Sequence, residues 1–321
     1  MKFKKIALAS FALISAMALT ACGSNSSSKK EDAVSVGIIQ YAEHDALSSS
    51  RKGFLEALKD AGYVEGENLT VDFQNAQGDQ ANLQTMVDQL AGQNDLNFAI
   101  ATPAAQALLN VDSETPAVFT AVTDPVSAGL VDSLETPGGN MTGSIDATDV
   151  EGQVEMLLKV VPEAKTVGIF YNSSEVNSEV QAKQAKEALE AAGKTVVIKT
   201  VTSTNDVQQV MTSLAGQVDA IYLPTDNTVA STAATIGEIL MDKKVPAIGS
   251  DEAYLEAVLF TYGVDYHAIG VQAGELAVEV LKGKDPADLA VKKPDTAAIA
   301  VNEEMAKALG IDSASIEELN K

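Results

Sequence analysis

The single cysteine of the chain, Cys22, follows a short apolar segment near its start. The tetrapeptide Leu19-Thr-Ala-Cys22 resembles the bacterial lipobox, whose cysteine becomes the lipid-modified first residue of the mature protein. Before it lie three lysines and an apolar run over residues 6–19 that only serines interrupt, which is the layout of an export signal. The run is shorter than the roughly 20 residues of a membrane span. We predict a signal peptide over residues 1–21 and lipidation at Cys22; an ordinary signal peptide with an incidental cysteine is the alternative.

A second set of reactive side chains follows predicted strands and suits the binding of a small solute. Glutamine amides and neutral imidazoles both donate and accept hydrogen bonds, and a carboxylate can pair with a desolvated ammonium group. The candidate ligand-binding residues are Gln40, Tyr41, His44, Thr102, Ala104, Thr123, Asp124, Asn172, Ser174, Thr225, Asp226, Asn227 and Asp251. For each aspartate a helix cap or turn is the alternative role, for the serines an N-cap, for Thr102 and Ala104 an ordinary helix start, and for Tyr41 a place in the core.

The charged groups of an amino acid have different candidate partners. Arg51 is the only arginine, so we expect a ligand carboxylate to meet backbone N–H groups at a helix start, after Ser48–Ser50 or at Thr102-Pro-Ala104. One of Asp124, Asp226 and Asp251 is expected to hold an ammonium group. Asp226 is favoured because Thr225 and Asn227 offer further polar contacts.

Composition excludes several classes of protein. The formal net charge of −23 argues against nucleic acid and against electrostatic binding to anionic lipid. One cysteine allows no internal disulfide and no cysteine metal site. We predict no metal and no cofactor. The chain has two histidines, His44 and His267, and lacks the Gly-x-Ser-x-Gly, His-Glu-x-x-His and phosphate-loop motifs. We therefore expect no enzyme; a surface hydrolase that uses His44 with a nearby serine is the alternative.

The elements that position these residues alternate between strand and helix. Short apolar runs at residues 35–39, 69–73, 97–101 and 117–122 are separated by helical patterns at 51–61, 82–90 and 104–109, which predicts a parallel sheet covered on both faces. The order then recurs. Matching stretches are 36–38 with 167–169, 58–62 with 189–193, 90–93 with 214–217 and 116–118 with 246–248. We predict two similar α/β halves with a ligand cleft where their strand ends face each other.

Several stretches together resemble a known family. They include Val36-Gly-Ile-Ile-Gln-Tyr-Ala-Glu-His44 and Tyr222-Leu-Pro-Thr-Asp-Asn-Thr228, with further matches at 62–66, 75–79, 101–106, 119–125 and 250–251. The chain is similar to the substrate-binding proteins of ABC importers associated with aromatic amino acids such as tryptophan and tyrosine. This resemblance implies a type I periplasmic-binding-protein fold, an amino-acid ligand, an ABC permease as partner, and a monomer at the extracytoplasmic face of the membrane.

The resemblance also implies a fold of two Rossmann-like parallel-sheet lobes joined by three crossings. We expect these crossings near residues 141–146, near 260–263, and after the helix that ends at Lys282-Gly283. Lobe one would comprise residues 34–143 plus 261–284, and lobe two 144–260 plus 285–321. Residues 22–33, rich in serine and then charged, would form a flexible tether. A sugar-binding protein or a sensor of the same fold remains an alternative function.

Overall fold

The structure, a computed structural model, describes residues 33–320. The predicted signal peptide, the lipidation site Cys22 and nearly all of the predicted tether lie outside the described residues. Within the part described, no helix combines the length and apolarity needed to cross a membrane.

The first sheet is built entirely from parallel strands. These are β1 (Val34–Gln40), β2 (Leu69–Asn75), β3 (Leu96–Ile100), β4 (Ala117–Val122) and β5 (Met141–Ile145), in the spatial order β2-β1-β3-β4-β5. Every residue of β3, β4 and β5 is buried, as expected for strands covered on both faces. The helices between them are α1 (Asp45–Asp60), α2 (Gln80–Leu90) and α3 (Thr102–Val111).

The second sheet repeats this plan and adds an antiparallel edge. Its order is β11-β10-β9-β8-β6-β7, and only the β10–β11 pair is antiparallel. The strands are β6 (Thr166–Asn172), β7 (Thr195–Val201), β8 (Ala220–Leu223), β9 (Ala247–Gly249), β10 (Phe260–Val264) and β11 (Ala297–Val301). The helices are α4 (Val150–Val160), α5 (Val176–Ala191), α6 (Val207–Ala215), α7 (Asn227–Ser231), α8 (Ala233–Lys243), α9 (Tyr266–Leu281), α10 (Glu303–Leu309) and α11 (Ser313–Glu317). Each sheet has its own hydrophobic core, so the predicted two-lobed α/β fold is confirmed.

Helix α9 returns to the first core, where it packs tightly against α1. A Cβ atom added at Gly270 would lie 2.1 Å from the backbone oxygen of Ser50, and one at Gly53 would lie 2.3 Å from that of His267. These two helices therefore approach more closely than any residue with a side chain would allow at these positions.

The chain changes sheet later than the predicted boundaries. Strand β5 continues to Ile145 in the first sheet, and β10 pairs with β9 and β11 through Val264 in the second. Lys292 then exchanges backbone hydrogen bonds with the end of β5, donating to Gly143 O at 2.8 Å and accepting from Ile145 N at 2.9 Å. By this pairing the first lobe is residues 33–145 plus 265–292, the first crossing is 146–149, and the second lobe is 150–264 plus 293–320. The predicted ranges differ at each crossing because backbone pairing continues past their ends.

Candidate functional site

The carboxyl ends of the two sheets' strands meet in a cleft between the lobes. Helix α3 of the first lobe contacts α5 of the second. His44 Nε2 lies 3.2 Å from Asn227 Oδ1 across the cleft. The Asn227 amide nitrogen donates to Glu175, so its oxygen faces the imidazole and His44 Nε2–H is the donor. This bond joins the two lobes directly, and burial lowers the pKa of His44 to about 4.

The first lobe brings most of its predicted residues to this cleft. Gln40 is fully buried and donates from Nε2 to Ala42 O at 2.8 Å. Tyr41 donates its hydroxyl to Gly78 O at 3.3 Å. Thr102 begins α3, and Ala104 lies in the same first turn and is fully buried. Burial, reinforced by the nearby Glu175 and Asp226 carboxyls, raises the pKa of Tyr41 above its ordinary value.

Asp124 has a local structural role. Its carboxylate accepts from the backbone N–H of Ser127 at 3.0 Å and from the hydroxyl of the same residue. The side chain is half-buried and lines, with the neighbouring Thr123, a cavity of about 300 Å³ between the lobes. Both carboxylate oxygens of Asp124 thus stabilise a turn. This is the alternative role that the sequence allowed for this aspartate.

The second lobe places Asp226 at the start of α7. Its oxygens accept from Asn172 N at 2.7 Å and from Val229 N at 2.9 Å, so the side chain caps the helix and ties β6 to it. Thr225 is held by Gln181 Oε1, which accepts from its backbone N–H at 2.7 Å. Ser174 is exposed and lines a separate crevice with Pro103. Burial raises the pKa of Asp226.

Glu175, which the sequence analysis missed, is fully buried beneath these residues. It accepts from Asn227 N at 3.0 Å, Asn227 Nδ2 at 2.6 Å, and Thr228 N and Oγ1 at 3.2 Å each. Burial, with the nearby Asp226 carboxyl, raises the pKa of Glu175 to about 8. Its sequence context, two serines at the start of a helix, is typical of an exposed turn, so no local signal marks this carboxyl as buried.

A second acidic cluster lies beside the crossings. Asp146, on the first crossing, accepts from the hydroxyl of Tyr266 at 3.0 Å, and Asp251 follows β9 and accepts from Ala253 N at 2.8 Å. Both aspartates are 2% exposed, and burial raises the pKa of each to about 6. Asp251 was predicted from its place after a strand. Asp146 and Tyr266 were not predicted, although Asp146 directly follows β5 and Tyr266 begins the helix after β10, because the sequence assigned these segments to crossings between the lobes.

Seven buried polar atoms around the cleft have no hydrogen-bond partner among residues 33–320. From the first lobe and first crossing these are Gln40 Oε1, His44 Nδ1, Thr102 Oγ1, Thr123 Oγ1 and Asp146 Oδ1, and from α5 they are Asn177 Oδ1 and Gln181 Nε2. Buried polar atoms in folded proteins are nearly always paired. Their concentration at one place indicates a surface built to bind a polar molecule.

The cleft contains buried acidic groups that no basic side chain among the described residues neutralises. The ion pairs within residues 33–320 are surface pairs, and none includes Asp146, Glu175, Asp226 or Asp251. In the same range no group of three or more His, Cys, Asp and Glu residues is arranged to hold a metal ion. The cleft therefore presents buried carboxyl groups without a protein cation, and it suits a ligand that carries a positive charge.

Comparison with known proteins agrees with this geometry. Residues 35–318 match the family model of the ABC transporter substrate binding protein. The chain is 39% identical over 312 residues to a tyrosine-binding protein of Clostridioides difficile, which covers 94% of this chain and 90% of that protein. The crystal structure of an ABC domain from Streptococcus pneumonia in complex with L-Trp is 38% identical, with a TM-score of 0.85, and the match covers 89% of this chain and 98% of that one.

A third relative is the ligand-free, open structure of a substrate-binding protein with adhesive properties from Clostridium difficile. It is 42% identical, with a TM-score of 0.66, and the match covers 87% of this chain and 96% of that one. The expected type I periplasmic-binding-protein fold is confirmed by these likenesses. The family binds substrates and is not one of enzymes, as expected from the missing catalytic motifs. On the extent of the family match and of the identity, the chain belongs to the ABC transporter substrate-binding proteins.

Proposed function

We propose that this protein binds an amino acid with an aromatic side chain, tryptophan, tyrosine or phenylalanine, in the cleft between its lobes and delivers it to an ABC permease. The observation that carries the proposal is the set of buried carboxyl groups without a protein cation. A buried carboxylate is stabilised when a cation joins it, and the α-ammonium group of an amino acid supplies one. A neutral sugar would leave these groups uncompensated.

The aromatic side chain is proposed from the relatives. One is named as a tyrosine-binding protein and another was crystallised with L-Trp, and both share more than a third of their residues with this chain. Tyr41 directly follows a first-lobe strand, is 2% exposed at the edge of the first core, and is among the residues that line a cavity of about 180 Å³ with Asn227 and Thr228 of the second lobe. A ring stacked on it would add on the order of 1 kcal/mol beyond burial.

Binding would shift the protein between open and closed lobes. The chain is slightly more identical to the open, ligand-free relative than to the L-Trp complex, yet its TM-score is higher with the complex. This ranking supports a structure with its lobes closed, as does the His44–Asn227 bond across the cleft. A ligand that contacts both lobes would favour the closed state to the extent that it binds that state more tightly than the open one.

The proposal places the protein at the extracytoplasmic face of the membrane, held by lipid on Cys22. It rests on the export-signal layout and on the lipobox-like tetrapeptide. Replacement of Cys22 by serine would remove the thiol that accepts the lipid. We expect the wild-type chain in the membrane fraction and the C22S chain in the soluble extracytoplasmic fraction; equal membrane retention of both would refute the anchor.

Calorimetric titration of the mature protein with the twenty amino acids and several pentoses tests the ligand. The chain has no tryptophan, so the fluorescence of added L-tryptophan also reports binding directly. We expect saturable one-to-one binding of at least one aromatic amino acid and none of the pentoses. Binding of a pentose, with no heat from any amino acid, would refute the proposed ligand class.

A further inference from the structure

The proposed ligand leaves open which buried carboxyl receives its positive charge. Four candidates lie around the cleft, and they differ in what their oxygens already bind. Both oxygens of Asp226 accept from backbone N–H groups, and both oxygens of Glu175 accept from Asn227 or Thr228. These two carboxyls are committed to holding α7 in place.

Asp146 is different. One of its oxygens accepts from Tyr266, while the other, Oδ1, is buried and forms no hydrogen bond of good geometry within residues 33–320, although the Thr123 hydroxyl lies close enough to the carboxyl to lower its pKa. A carboxylate oxygen accepts hydrogen bonds and cannot donate them when ionised, so only a donor satisfies it. The side chain of Asp146 is 2% exposed, and bulk water does not take the donor's place.

An independent observation beside Asp146 also indicates a ligand. Thr123 and Gln181, 7% and 2% exposed, line the cavity of about 300 Å³ together with Ile145 and Ala147, the residues that flank Asp146 in the chain. Gln181 Nε2 is itself unpartnered within the described part of the chain, and Thr123 Oγ1 forms no hydrogen bond of good geometry there, although it lies beside the Asp146 carboxyl. Thr123 comes from the first lobe and Gln181 from the second, so residues with unpartnered polar atoms line this space from both lobes.

From this geometry we propose that Asp146 and Asp251, beside the hydroxyl of Tyr266, bind the primary ammonium group of the ligand, and that Asp226 does not. This inference rests on the proposed function, since it assigns the charge-recognition residues of the same site. Asp146 lies on the first crossing, Tyr266 directly follows the second, and Asp251 belongs to the second lobe. An ammonium group bound here therefore connects both crossings with the second lobe, which links recognition of the charge to closure.

The test compares conservative amide variants. In Asp146→Asn and Asp251→Asn the side-chain shape is kept and the charge is lost, and an asparagine at 251 still accepts from Ala253 N. We expect the affinity for L-tryptophan or L-tyrosine to fall at least about thirtyfold in each variant, as for loss of one partner of a buried charge pair. Asp149→Asn is the matched control because Asp149 lies on the same crossing, is exposed and only caps α4. We expect its affinity within about twofold of the wild type.

A ligand without the amino group separates charge recognition from damage to the fold. For the wild type, 3-indolepropionate should bind much more weakly than L-tryptophan. In D146N and D251N that preference should nearly disappear, whichever ligand is weakened. If both variants keep the wild-type preference, or if D226N alone loses it, the assignment is overturned. If the wild type binds no amino acid, the proposed function fails first, independently of any variant.

Discussion

Replacement of Glu175 by alanine should destabilise the second lobe strongly. The carboxylate accepts from two backbone N–H groups, those of Asn227 and Thr228, and from the Asn227 side-chain amide. All three donors belong to buried residues. Each buried donor left without a partner costs about 1–3 kcal/mol, while removal of a buried carboxyl group beside Asp226 returns part of this energy. We expect the free energy of unfolding to fall by about 3 kcal/mol in E175A.

Thermal unfolding followed by circular dichroism measures this loss, since about 3 kcal/mol corresponds to roughly 6–10 °C for a lobe of this size. E175Q should lie between E175A and the wild type, because its amide keeps one acceptor oxygen. Glu179→Ala, an exposed position one turn further along α5, is the matched control and should change the midpoint by no more than about 1 °C. A midpoint of E175A equal to that of E179A would refute the view that Glu175 anchors α7.

The same geometry gives predictions for pH, for the bond across the cleft and for the helix contact. Burial raises the pKa of Asp146 and Asp251 to about 6, above the ordinary 3.8, so protons occupy them in the free protein below that pH and an ammonium group must displace them. Amino-acid affinity measured by calorimetry should therefore fall about tenfold per acid between pH 7 and pH 5, and equal affinities at these two pH values would contradict this. Between pH 3.8 and 6 the folded protein binds more of these protons than the unfolded chain, so these two groups should lower the stability of the unliganded protein as the pH rises through that window. His44→Ala removes the hydrogen bond across the cleft and should weaken ligand binding about fivefold. The control H267A removes the exposed pair with Glu56 and should leave the affinity unchanged. Equal affinities of the two variants would show that the His44–Asn227 bond does not favour closure. Gly270→Ala should lower the unfolding midpoint by several degrees because the new methyl group meets the backbone of Ser50. The control G216A, where the nearest atom is 3.8 Å from the new methyl group, should leave the midpoint unchanged. Similar midpoints of the two variants would contradict the tight contact between α1 and α9.

The alternation of strands and helices, the duplication and the position of a cleft follow from the sequence because they depend on local patterns. Runs such as those at Val36 and Val167 fix where buried strands lie, and parallel strands bring their carboxyl ends to one edge. The exact ends of the lobes cannot be obtained in this way. Strand β10 continues in the second sheet through Val264 because it pairs over that length with β11, which is remote in the chain.

The sequence also could not predict which acidic residues cap helices and which are left to bind a ligand. Asp226 stands at a strand end and has polar neighbours, which favoured it as the ammonium partner, yet its oxygens cap a helix. Asp146 and Asp251 are far apart in the chain, and tertiary packing brings both beside Tyr266. Burial of Glu175 depends likewise on α7 folding over it. Which carboxyl is free to bind a ligand is therefore a property of tertiary packing.

The return of α9 to the first lobe bears on when the protein can fold. The first core includes Ile269, Ala273 and Leu276, which the ribosome adds only after it has made the whole of the second sheet except β11. A nascent chain shorter than about 280 residues lacks α9, the helix that covers α1. The first lobe therefore cannot fold completely before most of the second lobe has been synthesised. For a polypeptide exported as proposed, the first core is therefore complete only once nearly the whole chain has been made.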